Sequence, residues 1–241
     1  MNKILILIFS LVASGINAQT ATKITWDYPV KPGMEEWRQL KTFEEINQAC
    51  QIPEDMLKKL DTEALVKICF DYPDFMTIFL YNTPQDGFNA LYSSFNGIRE
   101  LFDRKDAGHF MLKKYKSMTF ADFNPLWTSA TQGEFVFKYQ YFETLLAQPQ
   151  VFQSLDTNGR KELLKESTKK FEMKLSNRDL FGGDTFAVNV WIMARTLHYD
   201  SRLSSKFSDP ADIELSLMSG HLVGYDLMSI YEQSKKYVDE K

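Results

Sequence analysis

The chain predicts an all-α protein: an irregular helical array or bundle of antiparallel helix pairs, with an α-α superhelix of the HEAT or armadillo kind as the alternative arrangement. Three observations lead there. Apolar residues recur at spacings of three and four over most of the length. The 241 residues include only 11 Gly and 8 Pro, fewer than a β fold with a turn every ten residues would need. Helix-start residues stand directly before the periodic runs, at Thr42, Asp61, Asp106 and Asp156.

In chain order, residues 1–18 read as a signal peptide. Lys3 supplies the basic end, Ile4 to Ala13 the apolar stretch, and Ser14 to Ala18 the small-residue exit, with cleavage expected after Ala18. Residues 19–41 carry Pro29, Pro32 and Gly33 without a period and are expected to form an irregular arm. Residues 42–241 are read as a single helical domain, with possible halves 42–115 and 134–241 on either side of a loop.

Within that domain, Thr42-Phe43-Glu44-Glu45 is a capping box. Asp61-Thr62 starts a helix that buries Leu65, Ile68, Cys69 and Tyr72, and Pro73 stops it. Phe75, Phe79, Phe88, Tyr92 and Phe95 fall at helical spacing, with Asn96-Gly97 expected to close the element. Asp106 opens a helix with Ala107, Phe110, Met111, Tyr115 and Met118 inward.

At 134–142, aromatic residues alternate as in a strand, yet Phe135, Tyr139, Phe142 and Leu146 also share one helical face. Helix is preferred because the run extends to Gln148 and a lone strand would lack a partner. From 158 to 180, Leu164, Phe171 and Leu175 are expected inward and Lys161, Lys165, Lys169 and Lys170 in water. Residues 184–199 are apolar nearly all round and are expected at the centre of the core. A last helix is expected from about His221 to Val238. Aspartates 61, 103, 156 and 209 recur at about the period of two-helix solenoid units, which keeps the superhelix open beside the bundle.

Composition bounds the function more than any motif does. The chain is 44% hydrophobic and 25% charged, outside the collagen-like, disulfide-dense and disordered classes. Its formal charge is −4, one unit more negative once Lys3 leaves, so a general nucleic-acid role is disfavoured. The N-terminal apolar stretch is too short to cross a membrane, and no second long apolar run appears. His109, His198 and His221 are scattered, and zinc, nucleotide-loop and Gly-x-Ser-x-Gly patterns do not occur, so no catalytic residue, cofactor or metal is assigned. Asp156 to Gly159 begins like a calcium loop but has the wrong glycine and glutamate spacing. Phe181-Gly182-Gly183-Asp184 reads as a helix–helix corner, with a left-handed Gly182 and an Asp184 cap.

Three candidate features remain. Cys50 and Cys69 each lie four residues after an apolar residue on a short helix and are expected to pair across a helix hairpin as a disulfide. Lys105, His109, Lys113 and Lys116 share one helix face that could meet an anionic partner. Trp26, Trp37 and Trp127 lie in segments with no core assignment and are the rings expected to be exposed.

With Ala49-Cys50-Gln51-Ile52-Pro53, Phe95-Asn96-Gly97 and Leu101 to Ala107 added to the signal segment, the chain resembles uncharacterised exported all-helical proteins of Bacteroidetes-type bacteria, mostly over residues 30–115. The resemblance implies a Gram-negative envelope or extracellular location, whether periplasmic, outer-membrane-associated or secreted, and assigns no functional residue. The resulting expectation is a non-enzymatic binding or interaction module with an unknown protein or glycan partner. The alternative is a hydrolase acting on a cell-wall or dietary polymer through carboxylates assembled in three dimensions.

Overall fold

A computed structural model describes residues 24–203, 210–222 and 227–240, leaving out the side chains of 210–212. The expected signal segment, residues 19–23 of the arm, Asp209 and Val223 lie outside the described residues. Helices follow one another as α1 (Glu35–Gln39), α2 (Phe43–Ala49), α3 (Glu54–Leu57), α4 (Thr62–Phe70), α5 (Pro84–Ser94), α6 (Asn96–Asp103), α7 (Ala107–Ser117), α8 (Ser129–Leu146), α9 (Pro149–Ser154), α10 (Thr157–Ser176), α11 (Gly183–Tyr199), α12 (Pro210–Ser219) and α13 (Leu227–Asp239). Two 3-10 turns, Phe75–Leu80 and Phe120–Asp122, interrupt them, and there is no strand among the described residues. The all-α expectation therefore holds.

The caps explain where helices begin. Glu45 N donates to Thr42 Oγ1 at 3.2 Å and Thr42 N to Glu45 Oε2 at 3.0 Å, completing the capping box of α2. Lys41 N, which also donates to Glu45 Oε2 at 2.7 Å, together with Thr42 N holds the exposed Glu45 carboxyl below its ordinary pKa. Asp61 accepts from Ala64 N and Asp156 from Gly159 N, each at 2.7 Å, so Leu60-Asp61-Thr62 and Leu155-Asp156-Thr157 both open helices. The calcium-like start at Asp156 is thus a helix cap.

Helix α11 is the centre. Its Val190, Trp191, Ile192, Met193 and Leu197 are fully enclosed, and it packs on α8, α10, α12 and α13. Helix α7 links this group to α4 and α6, while α5 packs on the first 3-10 turn, α6, α8 and α12. The α5–α12 contact joins elements far apart in sequence, which a strictly linear stack of repeats would not do. Buried apolar residues from Tyr28 to Tyr237 form one contiguous cluster. Arg195 fastens this arrangement, donating to the carbonyls of Ala147, Leu217 and Met218 and to Gln85 Oε1 at 2.7–3.1 Å.

Five local expectations change. Asn96-Gly97 opens α6 instead of closing α5, because the Asn96 amide is held in the interior: it accepts from Ile52 N at 3.0 Å and donates to Ile52 O at 2.7 Å. Phe75 and Phe79 lie on a 3-10 turn that passes so close to α5 that a Cβ at Gly87 would sit 2.1 Å from the Ile78 carbonyl oxygen. Gly182 is extended, with φ −76°, and Asp184 lies inside the first turn of α11. Lys170, expected in water, is buried, whereas Leu175 is only half-buried.

The fifth change concerns the cysteines. Cys50 and Cys69 are free thiols, both fully buried. The hairpin that would bridge them does not form: α3 follows α2, and α4 packs on α6 and α7. Each thiol is enclosed as a small apolar group. Burial pushes Cys50 up to about 12 and Cys69 higher still.

Candidate functional site

A cleft of about 350 Å³ opens between the end of α4, the end of α7 and the first half of α8. Local sequence builds each wall. Helix α4 stops at Phe70, which puts that ring at the edge. Helix α7 ends at Ser117 with Met118 as its extended cap, and Thr119 caps the short Phe120–Asp122 turn by accepting from Ala121 N at 3.2 Å. Thr128 then caps α8. The connecting loop is held by its own rings: Phe120 and Phe123 stack at 5.1 Å, and Phe123 and Trp127 lie 5.5 and 5.9 Å from Phe135. Phe70, Met118, Trp127, Phe135 and Tyr139 supply apolar lining, with Asp122 and Glu134 exposed at the edge.

Two amines enter this apolar setting. Lys114 Nζ sits 3.9 Å and Lys138 Nζ 5.3 Å from the centroid of the same Phe70 ring. Lys138 also lies 3.9 Å over Phe75 and donates to the Phe70 carbonyl at 2.9 Å, capping the end of α4. Neither lysine has an ion-pair partner among the described residues. Desolvation lowers both amines, bringing Lys138 to about 8. Tyr139, 2% exposed, completes the lining, and its hydroxyl has no hydrogen-bond partner among the described residues.

Behind the cleft lies a buried polar network joining α7, α8, α10 and α11. Lys174 Nζ donates to Glu143 Oε2 at 2.5 Å and to Thr185 O at 2.8 Å. Tyr115 donates to Glu143 Oε1 at 2.7 Å and accepts from Asn189 Nδ2 at 3.1 Å. Glu143, Lys174, Tyr115 and Asn189 are all fully enclosed. Burial raises the Glu143 carboxyl and lowers the Lys174 amine. Lys170 connects network and cleft, pairing with Glu166 at 2.9 Å and donating to the carbonyl of Met118. Glu143, Lys174, Tyr115 and Asn189 do not line the cleft.

The sequence-chosen cationic face does not converge on this site. Lys113 pairs with Glu63 at 2.6 Å and Lys116 with Glu162 at 2.8 Å, while Lys105 and His109 are exposed. Two of its three lysines are thus used in ion pairs with neighbouring helices. The three tryptophans expected to be exposed are half-buried. Trp26 packs edge-on to Tyr28 at 4.7 Å, Trp37 packs on the core, and Trp127 lines the cleft. They are covered because the arm and the loop fold back onto apolar surface.

Sequence reasoning missed Lys114, Lys138 and Phe70. Lys138 did carry a signal: a cation inside the run Phe135-Val136-Phe137-Lys138-Tyr139. Among the described residues, no three His, Cys, Asp or Glu side chains converge to hold a metal ion. No described helix is long and apolar enough to cross a membrane. Comparison with protein-family models, curated proteins and solved structures returns no match.

Proposed function

We propose that the protein is an exported, non-enzymatic binding module whose cleft between α4, α7 and α8 holds a small ligand. The supporting observation is the cleft itself: aromatic walls from three separate elements enclose about 350 Å³, within the usual range for small-molecule sites. Its rings and Met118 are suited to holding an apolar body, with polar and charged groups set among them. The signal-like segment before Gln19 supports the exported half of the reading.

Each half has its own test. Phenylnaphthylamine, a neutral dye that brightens in apolar surroundings, should bind saturably with one site per chain. Thr131→Trp, at an exposed lining position, should fill the cleft and weaken that binding by tenfold or more. Dye binding unchanged in this variant would overturn the cleft as the site. For export, the protein recovered outside the cytoplasm should begin at or near Gln19, and an intact Met1 on that material would overturn the exported reading.

A further inference from the structure

We propose that the ligand of this cleft carries a compact anionic group, such as a carboxylate or sulfonate, seated between Lys114 and Lys138 on an aromatic or aliphatic body. The inference rests on the cleft being the binding site.

Charge accounting across the neighbouring surface carries it. In the adjoining groove along α4 and α7, whose wall Lys114 shares, the other two lysines have carboxylate partners: Lys113 meets Glu63 at 2.6 Å and Lys67 meets Asp71 at 2.7 Å. Lys114 and Lys138, from different helices, share one phenyl ring and meet no carboxylate within 4 Å among the described residues. Two like charges brought together in a partly desolvated wall repel, and the ring quadrupoles and Asp71, which is itself paired with Lys67, offset only part of that cost.

The structural role of Lys138 as a cap on α4 uses one of its three N–H donors. It leaves Lys114 unexplained, since no described oxygen accepts from that amine while its stem and head are half-buried. The unpartnered Tyr139 hydroxyl adds a third polar group to the same wall. An anion would give the two amines their counter-charge, whereas a cationic ligand would add a third positive charge. Asp122 and Glu134 sit at the exposed edge, where water and salt screen them. The volume suits a body of one to three rings, too small for a folded partner.

The test uses two dyes with the same ring body on the full mature chain. Anilinonaphthalene sulfonate carries the anion and phenylnaphthylamine lacks it. The sulfonate should bind at least about tenfold more tightly, as charge-assisted hydrogen bonds imply. Lys114→Met and Lys138→Met should each remove most of that preference, read as the ratio of sulfonate to phenylnaphthylamine affinity in the same variant. Lys114 makes no described hydrogen bond through its amine, so its variant isolates the charge even if losing the Lys138 cap destabilises α4. Equal affinity of the wild-type protein for the two dyes, or a preference that survives both substitutions, would overturn the anion assignment and leave the cleft standing. Absence of saturable binding by either dye would instead overturn the cleft reading.

Discussion

Replacing Lys174 by Met removes the amine from the buried network while keeping a side chain of similar length and bulk. Glu143 is then left fully enclosed with only the Tyr115 hydroxyl on its carboxylate, and the Thr185 carbonyl loses its donor. A carboxylate stranded in this way can be relieved by taking up a proton. At pH 7, protonating a group with an ordinary Glu pKa costs about 3.7 kcal/mol. The lost bond to Thr185 adds about 1 kcal/mol. The variant should therefore be less stable than wild type by about 4–5 kcal/mol at pH 7, consistent with the loss seen when one partner of a buried ion pair is removed.

The sign of the pH dependence follows from the same group. In the variant the folded-state pKa of Glu143 lies above its unfolded value, so the neutral form favours folding at low pH and that advantage disappears as pH rises. Burial already raises this carboxyl in the wild-type protein, so the deficit should shrink by up to about 2 kcal/mol between pH 7 and pH 5.5. Urea unfolding of both proteins at the two pH values, with slopes compared to confirm the same surface change, measures it. Adding Glu143→Gln to Lys174→Met should restore about 3 kcal/mol at pH 7, because no charge remains to be buried. A deficit below about 1 kcal/mol, or one equal at both pH values, would mean that Glu143 reaches water and that α8, α10 and α11 do not pack as described.

Three further outcomes are expected. Arg195→Met should loosen α12 locally by about 2–3 kcal/mol, raising amide exchange around Leu217 and Gly220 by on the order of a hundredfold while α8 and α10 stay protected; uniform loss of protection would contradict it. Cys50 and Cys69 should resist alkylation in the native protein at pH 8 and give two reactive thiols after unfolding without reductant, whereas none after unfolding would show a bridge. Sulfonate dye affinity should fall between pH 7 and pH 9 as Lys138, held near 8 by burial and faced by Lys114, Asp71 and Glu134, loses its charge; a flat profile would place the anion elsewhere.

How far the sequence foretold this molecule depended on how local each cause was. Asp61, Asp156 and Thr42 open helices through bonds to amides three residues on, so spacing alone located them. The ambiguous 134–142 run became helix for the reason its length implied, and the all-round apolar pattern of 184–199 marked the central helix correctly. Asn96 misled because its partner, Ile52, lies far away along the chain. Lys170 misled for a related reason: a lysine pattern reads as solvated unless a distant acceptor, here the Met118 carbonyl, is known to face it.

The cleft was the least legible feature. Lys113 and Lys114 are neighbours, yet a helical step of about 100° sends one to Glu63 on the surface and the other over Phe70. No period within α7 reveals which of the two lacks a partner. That information arises only when α4, α7 and α8 are placed together.

The most direct test of the binding cleft is nuclear magnetic resonance on isotope-labelled protein saturated with anilinonaphthalene sulfonate. Contacts between dye protons and the Phe70, Trp127 and Tyr139 side chains, with shifts concentrated at Lys114 and Lys138, are predicted. Contacts confined to the exposed groove beside Leu80 and Tyr81, with the α4–α7–α8 residues unchanged, would contradict it.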